Sequence, residues 1–258
     1  MKLVILAGGY GTRLGDISNV MPKPMVPIGG KPIIWHIMKI YSYYGIKEFI
    51  ICLGYKSDMI KDYFLHYASK QDDFFIDLGT GEVQYLTSND EKDWKVTLVD
   101  TGVDTLKGGR LKRIEKYLTE DVNLLTYGDG VSNININELI DFHSRMNKTV
   151  TISGVHPPAR FGELNSNGNV VASFKEKAQT SQGLINGGFM VFDKSLLGYL
   201  SEDESCDLEY ETFEHLAEIG EIAVYKHEGL WACMDNERDI ANLNQMWKEN
   251  NAFWKVWK

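Results

Sequence analysis

The sequence predicts an α/β fold: a mixed, mostly parallel sheet flanked by helices, with a smaller β-rich part in the second half. Three observations predict it. Short apolar runs alternate with stretches of helical period through residues 1–147. The first run stops at a glycine turn, where open α/β sheets receive ligands. From residue 148 the pattern changes to strands joined by glycine and asparagine turns, among them Asn167-Gly168.

Each element carries its own signal. Residues 2–7 are an apolar run ending at Gly8-Gly9, which reads as a buried strand. Residues 31–44 have Pro32 near the start, Ile33, Ile34, Ile37, Ile40, Tyr41 and Tyr44 at helical spacing, and Gly45 as a stop. Residues 48–53 are a second buried strand. Ser57 is placed to cap a helix presenting Ile60, Tyr63, Phe64 and Tyr67. Strands follow at 83–87 and 95–100, then a helix at 110–118 with Leu111, Ile114 and Leu118 on one side, and a strand at 123–127. Asn135 with Glu138 forms a capped start for a helix carrying Leu139, Phe142 and Met146. Strands are predicted at 149–155, 170–174, 190–192 and 222–225, and helices at 209–218 and 239–250. The last presents Ile240, Leu243 and Trp247 on one face. Neither an internal repeat nor a low-complexity linker divides residues 1–258, so they read as one domain.

Composition narrows the function classes. With 258 residues the chain can bury a substantial core. A formal net charge of −9 argues against a general nucleic-acid surface, so an anionic ligand needs a local cationic pocket. Arg13, Lys23 and Arg110 are candidates for it. Cys52, Cys206 and Cys233 are widely spaced and form no C-x-x-C, which supports neither a disulfide framework nor a zinc site. The apolar run before the first glycines is too short for a signal segment, and no stretch reaches membrane-spanning length. The chain therefore reads as cytoplasmic, with no membrane partner.

The chemistry concentrates in Leu6-Ala7-Gly8-Gly9-Tyr10-Gly11-Thr12-Arg13 and in Pro22-Lys23-Pro24. A glycine turn after a strand exposes backbone N–H groups to a phosphate, and Arg13 adds a guanidinium beside it. Lys23 adds a second cation on a segment stiffened by prolines. Together they describe a triphosphate or pyrophosphate site. A dinucleotide fingerprint fits poorly, because Leu14 stands where its third glycine belongs and residues 28–34 hold no carboxylate for a ribose. A P-loop fails for want of G-K-[ST]. Asp129 directly follows the strand at 123–127, and Asp235 ends Trp231-Ala232-Cys233-Met234-Asp235. A carboxylate at a strand's carboxyl end beside a polyphosphate suits a hard divalent cation; as readily, either aspartate caps a turn. His36, His143 and His215 lie on predicted helices without metal spacing, which favours packing or surface roles.

Gly8-Gly9-Tyr10-Gly11-Thr12-Arg13-Leu14 followed by Pro22-Lys23-Pro24 resembles the signature of the sugar-phosphate nucleotidylyltransferases. Val99-Asp100-Thr101-Gly102, Gly108-Gly109-Arg110-Leu111, Tyr127-Gly128-Asp129-Gly130, Ile185-Asn186-Gly187-Gly188-Phe189 and Trp231-Ala232-Cys233-Met234-Asp235 resemble the glucose-1-phosphate cytidylyltransferase branch, in order through nearly the whole chain. The resemblance implies a Rossmann-like fold of the nucleotide-diphospho-sugar transferase type. Residues 1–147 would be mainly the nucleotide-binding half, and residues 148–258 mainly the sugar-phosphate-binding half with a C-terminal helix. It implies transfer of CMP from CTP to glucose 1-phosphate, with Mg²⁺ held by Asp129 and Asp235. Arg13 and Lys23 would be catalytic. Leu6 to Arg13, Lys23, Thr105, Arg110 and Gly128 would contact the nucleotide. Glu176, Lys177, Asn186, Gly187 and Gly188 would contact the sugar phosphate. The branch resembles homo-oligomers, commonly hexamers.

The chain departs from that pattern at four places. Ala178 replaces the proline of Glu-Lys-Pro, Met21 stands where a lysine is frequent, Asn236 replaces a threonine after Asp235, and residues 209–212 are less family-like. These changes leave the reaction class intact and bear on the sugar. A uridylyl- or thymidylyltransferase, a cytidylyltransferase for another phosphorylated acceptor, and a non-catalytic nucleotide-sugar sensor are the alternatives.

Overall fold

A seven-stranded sheet organises the chain in the computed structural model, which describes residues 1–157, 163–167, 170–175 and 183–258. In chain order come β1 (Leu3–Leu6), β2 (Glu48–Leu53), β3 (Lys95–Asp100), β4 (Val122–Tyr127), β5 (Gly130–Ser132), β6 (Val150–Val155), β7 (Ile185–Asp193), β8 (Ile222–His227) and β9 (Trp231–Cys233). The main sheet runs β8-β6-β7-β4-β1-β2-β3, and β5 pairs with β9 outside it. β1 is parallel to both neighbours, as β2 is to β3 and β6 to β8. Only β7 reverses, running antiparallel to β4 and to β6. The sheet is thus mixed and mostly parallel, as the alternation of strands and helices implies.

Among the described residues, the α-helices of seven residues or more are α1 (Ile33–Tyr43), α2 (Ser57–Leu65), α3 (Lys107–Arg113), α4 (Ile136–Met146) and α5 (Glu237–Lys248). The period-two alternation of the strands sorts the core into two layers. Leu3, Ile5, Phe49 and Ile51 meet Ile33, Ile34, Ile37 and Ile40 of α1 and Leu243 of α5. Val4, Leu6, Ile50 and Cys52 meet Leu111 and Ile114 at α3. Each fully buried aliphatic side chain of this kind contributes about 1.5–3 kcal/mol, so β1, buried on both faces, is held as the rigid centre of the sheet.

Several elements differ from the sequence-based expectation. Ser57 does not cap α2; it is the first helical residue, and the preceding Lys56 takes a left-handed turn at φ 50°. The helix stops at Leu65 and a separate short helix, Tyr67–Gln71, follows His66. The strand expected at 83–87 forms at Val83–Tyr85, but it pairs antiparallel with Phe74–Ile76 in a hairpin outside the main sheet. Likewise Val170–Lys175 pairs antiparallel with Glu163–Asn167, outside the main sheet among the described residues. The helix expected at 110–118 begins at Lys107, making Gly108 and Gly109 helical. A Cβ on Gly109 would collide with the Asp203 carbonyl oxygen, so the glycine is what lets α3 touch the 203–207 segment. The stretch expected as a helix at 209–218 winds as a π-helix over Leu208–Phe213 and continues as α-helix over Glu214–Glu218. Asn135 caps α4 as expected, accepting from the N–H groups of Asn137 and Glu138.

Candidate active site

A cleft of about 820 Å³ opens at the carboxyl ends of β1 and β4. Its floor is the glycine loop. Gly11 sits in the left-handed region at φ 66°, and its carbonyl accepts from Leu14, turning the chain into the short helix Thr12–Leu14. Arg110 reaches the loop from beneath. Its guanidinium donates to the carbonyls of Gly8, Leu53, Gly102 and Val103 at 2.6–3.1 Å and to the Thr101 hydroxyl at 2.8 Å. Only 4% exposed, with burial lowering its pKa, Arg110 ties the glycine loop to the loop after β3. Its five polar partners compensate the cost of burying that charge. Arg113 extends the tie by donating to the Thr101 carbonyl and the Thr105 hydroxyl.

Four charged side chains converge at one end of the cleft. The Lys23 ammonium lies 2.6 Å from Asp129 Oδ2 and 2.6 Å from Asp235 Oδ1, and Arg13 Nη1 lies 3.1 Å from Asp235 Oδ2. Burial works against the charge on Lys23, but attraction to Asp129 and hydrogen bonds to both aspartates outweigh it and raise its pKa. Burial would also raise Asp235; Lys23, then Arg13, pull it below the ordinary carboxylate value instead. The sheet explains why residues so far apart in sequence meet. β5 and β9 pair Gly130 with Cys233, and the Met234 N–H donates to the Asp129 carbonyl, so the residues flanking the two strands lie side by side. Asp239 fixes the other side of Asp235, accepting its backbone N–H at 2.9 Å. Asn236 and Asp239 form a reciprocal capping box at the start of α5. Asparagine at 236 therefore caps the helix as a threonine would.

The donor set at this end suits a hard cation. Ligand atoms of Asp129, Cys233 and Asp235 lie within 4.8 Å of one another. Burial, then the charge of Asp129, pushes the Cys233 thiol strongly up, so oxygen is the available donor. Two carboxylate oxygens turned toward a positive charge are what Mg²⁺ takes from a protein when a nucleotide supplies the rest.

On the opposite wall, sequence reasoning names Asn186, Gly187 and Gly188 but misses Lys107, Tyr127 and Glu209. The Tyr127 hydroxyl donates to Glu209 Oε1 at 2.6 Å and accepts from Asn186 Nδ2 at 3.1 Å. Lys107 pairs with Glu209 Oε1, and its ammonium stands 5.2 Å from the Tyr127 ring centroid. Gly188, at φ 79°, lies against that ring, and its N–H donates to Asn186 Oδ1. Asp207, capping the π-helical turn, accepts from the Glu209 and Tyr210 N–H groups. A carboxylate at 209, a lysine at 107 and a tyrosine before Gly128 have no motif in common. Only their shared place at the strand ends unites them.

Of the residues singled out from the sequence, Leu6, Ala7, Gly8, Gly9, Tyr10, Gly11, Thr12, Arg13, Lys23, Thr105, Arg110, Gly128, Asp129, Asn186 and Asp235 line this one cleft. Gly187 and Gly188 adjoin Asn186; the Gly187 carbonyl accepts from the Trp231 indole. Thr105 and Arg110 are both buried at the edge of the cleft: the Thr105 hydroxyl accepts from Arg113, and the two terminal nitrogens of Arg110 donate to protein oxygens. Glu176 and Lys177 lie outside the described residues. His36 and His143 are buried packing residues, as their helical spacing suggested. Among the described residues, no helix is long and apolar enough to cross a membrane.

Sheet, glycine loop and charged cluster together define an enzyme of nucleotidyl transfer, and the chain belongs to the nucleotidyl transferase family, whose model matches residues 2–255. It is 45% identical over 257 residues to a probable glucose-1-phosphate cytidylyltransferase of Bacillus subtilis, covering 100% of both chains. It is also 45% identical over 259 residues to the glucose-1-phosphate cytidylyltransferase of Salmonella typhimurium, again across 100% of each. A crystal structure of HddC from Yersinia pseudotuberculosis complexed with GMP-PN shares the fold, with a TM-score of 0.68, 23% identity, and coverage of 95% of this chain and 99% of that one.

Proposed function

We propose that the protein transfers CMP from CTP to α-D-glucose 1-phosphate, releasing pyrophosphate and giving CDP-glucose. The observation that carries this reading is the 45% identity, end to end, to proteins of that description. The charged cluster is consistent with the chemistry. An oxygen of the sugar phosphate attacks the α-phosphorus of CTP in line with the departing pyrophosphate. That oxygen is already anionic, so no general base is needed, and the barrier lies in bringing two anions together. Arg13, its planar guanidinium at the cleft mouth, neutralises the outer phosphates as a fork of donors. Lys23, held as an ammonium by its carboxylate neighbours, offers a point charge to the α-phosphate and the attacking phosphate. Asp129 and Asp235 would hold Mg²⁺, which when bound offsets charge on the phosphate oxygens. The N–H groups of the glycine loop orient the triphosphate.

Residues 1–147 supply mainly the nucleotide side of this cleft and residues 148–258 mainly the acceptor side. A homo-oligomer accords with the apolar residues left in solvent, among them Leu65 at the end of α2 and Phe75, Leu78 and Leu86 in or next to the 74–85 hairpin. A lone two-stranded ribbon of this kind gains stability when covered. Sedimentation at several concentrations tests the assembly. For the activity, pyrophosphate release is measured with CTP, UTP, dTTP and GTP against a panel of sugar 1-phosphates in Mg²⁺. CTP with glucose 1-phosphate is expected to give the highest kcat/KM. Turnover with UTP or dTTP and none with CTP would overturn the reading, as would tight nucleotide-sugar binding without turnover.

A further inference from the structure

Among the described residues, Glu209 is a carboxylate of the cleft whose two oxygens are treated differently. Oε1 receives two donors, the Tyr127 hydroxyl and the Lys107 ammonium. Oε2 is buried and has no hydrogen-bond partner among the described residues. Buried acceptors in folded proteins are almost always paired, because an unpaired one forfeits its hydration with nothing in return. The side chain is held through Oε1, and the backbone beneath it is fixed separately. Asp207 accepts the Glu209 N–H at 2.8 Å, and the glycines of α3 let the preceding residues pack directly against that helix. Oε1 is thus committed within the protein while Oε2 is not, and Glu209 lines the cleft.

We infer that Glu209 is an acceptor-specificity residue: its Oε2 accepts a hydrogen bond from one ring hydroxyl of the sugar phosphate. The inference rests on the proposed cytidylyl transfer to a sugar phosphate. A carboxylate accepts and does not donate, and it repels phosphate, so the missing partner is an uncharged donor group of the substrates. Through the Tyr127 hydroxyl, Glu209 is joined to Asn186 on β7, on the side of the cleft away from the glycine loop. That is the acceptor side, and sugar hydroxyls are the donors found there. Tyr127 and Lys107 act as positioning residues that fix the carboxylate, Lys107 also setting a positive charge against it. A site that pairs a buried acceptor with a substrate hydroxyl discriminates sharply against the analogue lacking that hydroxyl, since the acceptor is then left unpaired again.

The test is steady-state kinetics with CTP and a series of monodeoxy glucose 1-phosphates, on wild type, Glu209→Ala and Glu209→Gln. In the wild type, one deoxy analogue is expected to lose at least ~10-fold in kcat/KM relative to glucose 1-phosphate. In Glu209→Ala that particular penalty disappears, and KM for glucose 1-phosphate rises ~10-fold while KM for CTP stays within ~2-fold. Glu209→Gln keeps an acceptor oxygen and holds the fold if alanine does not; it is expected to retain part of the discrimination. An equal loss on every acceptor in both variants would overturn the inference by making Glu209 merely structural. A change in preference between CTP and UTP would overturn it by assigning the free oxygen to the base. Absence of turnover by the wild type with CTP and glucose 1-phosphate is a different failure, that of the functional reading itself.

Discussion

The two ends of α5 bury titratable groups by opposite means. At its start, Lys23 and Asp235 stay charged, each pulled toward its ionised form by the other. At its end, Trp247, Trp254 and Trp257 surround His36, with ring centroids 4.7–6.3 Å from the imidazole. His36 Nε2 donates to the Ile28 carbonyl and Nδ1 accepts from the Trp254 indole, an arrangement only the neutral ring can make. Burial pushes its pKa down to about 4. One end keeps charge where a polyanion must be met. The other discards charge so that an aromatic core can close over α1. The difference teaches that what decides a buried ionisable group's state is whether a counter-charge is within reach, not depth alone.

The comparison can be broken most directly at Asp129. Asp129→Asn keeps the shape and removes the charge facing Lys23, and turnover is expected to fall at least ~10³-fold with the thermal unfolding curve little changed. Near-normal pyrophosphate release would remove Asp129 from the chemistry. At the other end, Trp254 is completely buried. Trp254→Ala is expected to cost about 3–5 kcal/mol of stability, measured by urea unfolding, while kcat of the folded fraction stays close to wild type. A loss in kcat as large as that of Asp129→Asn would mean that the two ends are not independent.

The cage also sets a pH dependence. The unfolded chain protonates His36 near the ordinary imidazole value of 6.5, the folded chain only near 4. Between those values the unfolded state binds the extra proton, so stability is full above about pH 6.5 and falls as pH drops toward 4. The loss is on the order of 3 kcal/mol at full protonation. A non-titrating His36→Gln variant should show a correspondingly shallower acid slope; an unchanged slope would show that the cage does not couple to pH. The smallest effect is expected at the α5 cap. Asn236→Ala should cost about 1 kcal/mol by equilibrium unfolding and Asn236→Thr close to nothing. Equal losses in both would mean that the amide does something beyond capping.

Much of the molecule was readable from residue order. The glycine loop, β1 to β4, the Asn135 cap and the phosphate-facing place of Arg13 and Lys23 follow from local pattern; for Asp129 and Asp235 local pattern leaves a turn cap equally open, and the family resemblance points to the cleft. Apolar runs, cap residues and strand ends are signals written within about ten residues of one another. What escaped was non-local. The ribbon pairing of residues 74–76 with 83–85 has the composition of a sheet strand, and nothing in its own sequence says that it leaves the main sheet. The pairing of β5 with β9 is three residues long on each side, too short to stand out, yet it is what brings Asp129 beside Asp235. Arg110 looked like a cation for the pocket; its depth, and so its work as a tie between loops, came only with the packing of α3.

By itself the sequence determined the class of fold, the phosphate-facing loop and the charged residues placed to serve it, because strand ends and glycine turns impose their chemistry locally. The tertiary structure alone decided which of those charges touch, that the Glu209 carboxylate closes the far wall of the same cleft, and that His36 is neutral. Those outcomes depend on distances between segments far apart in the chain, and burial and pairing, which set them, exist only once the sheet has closed.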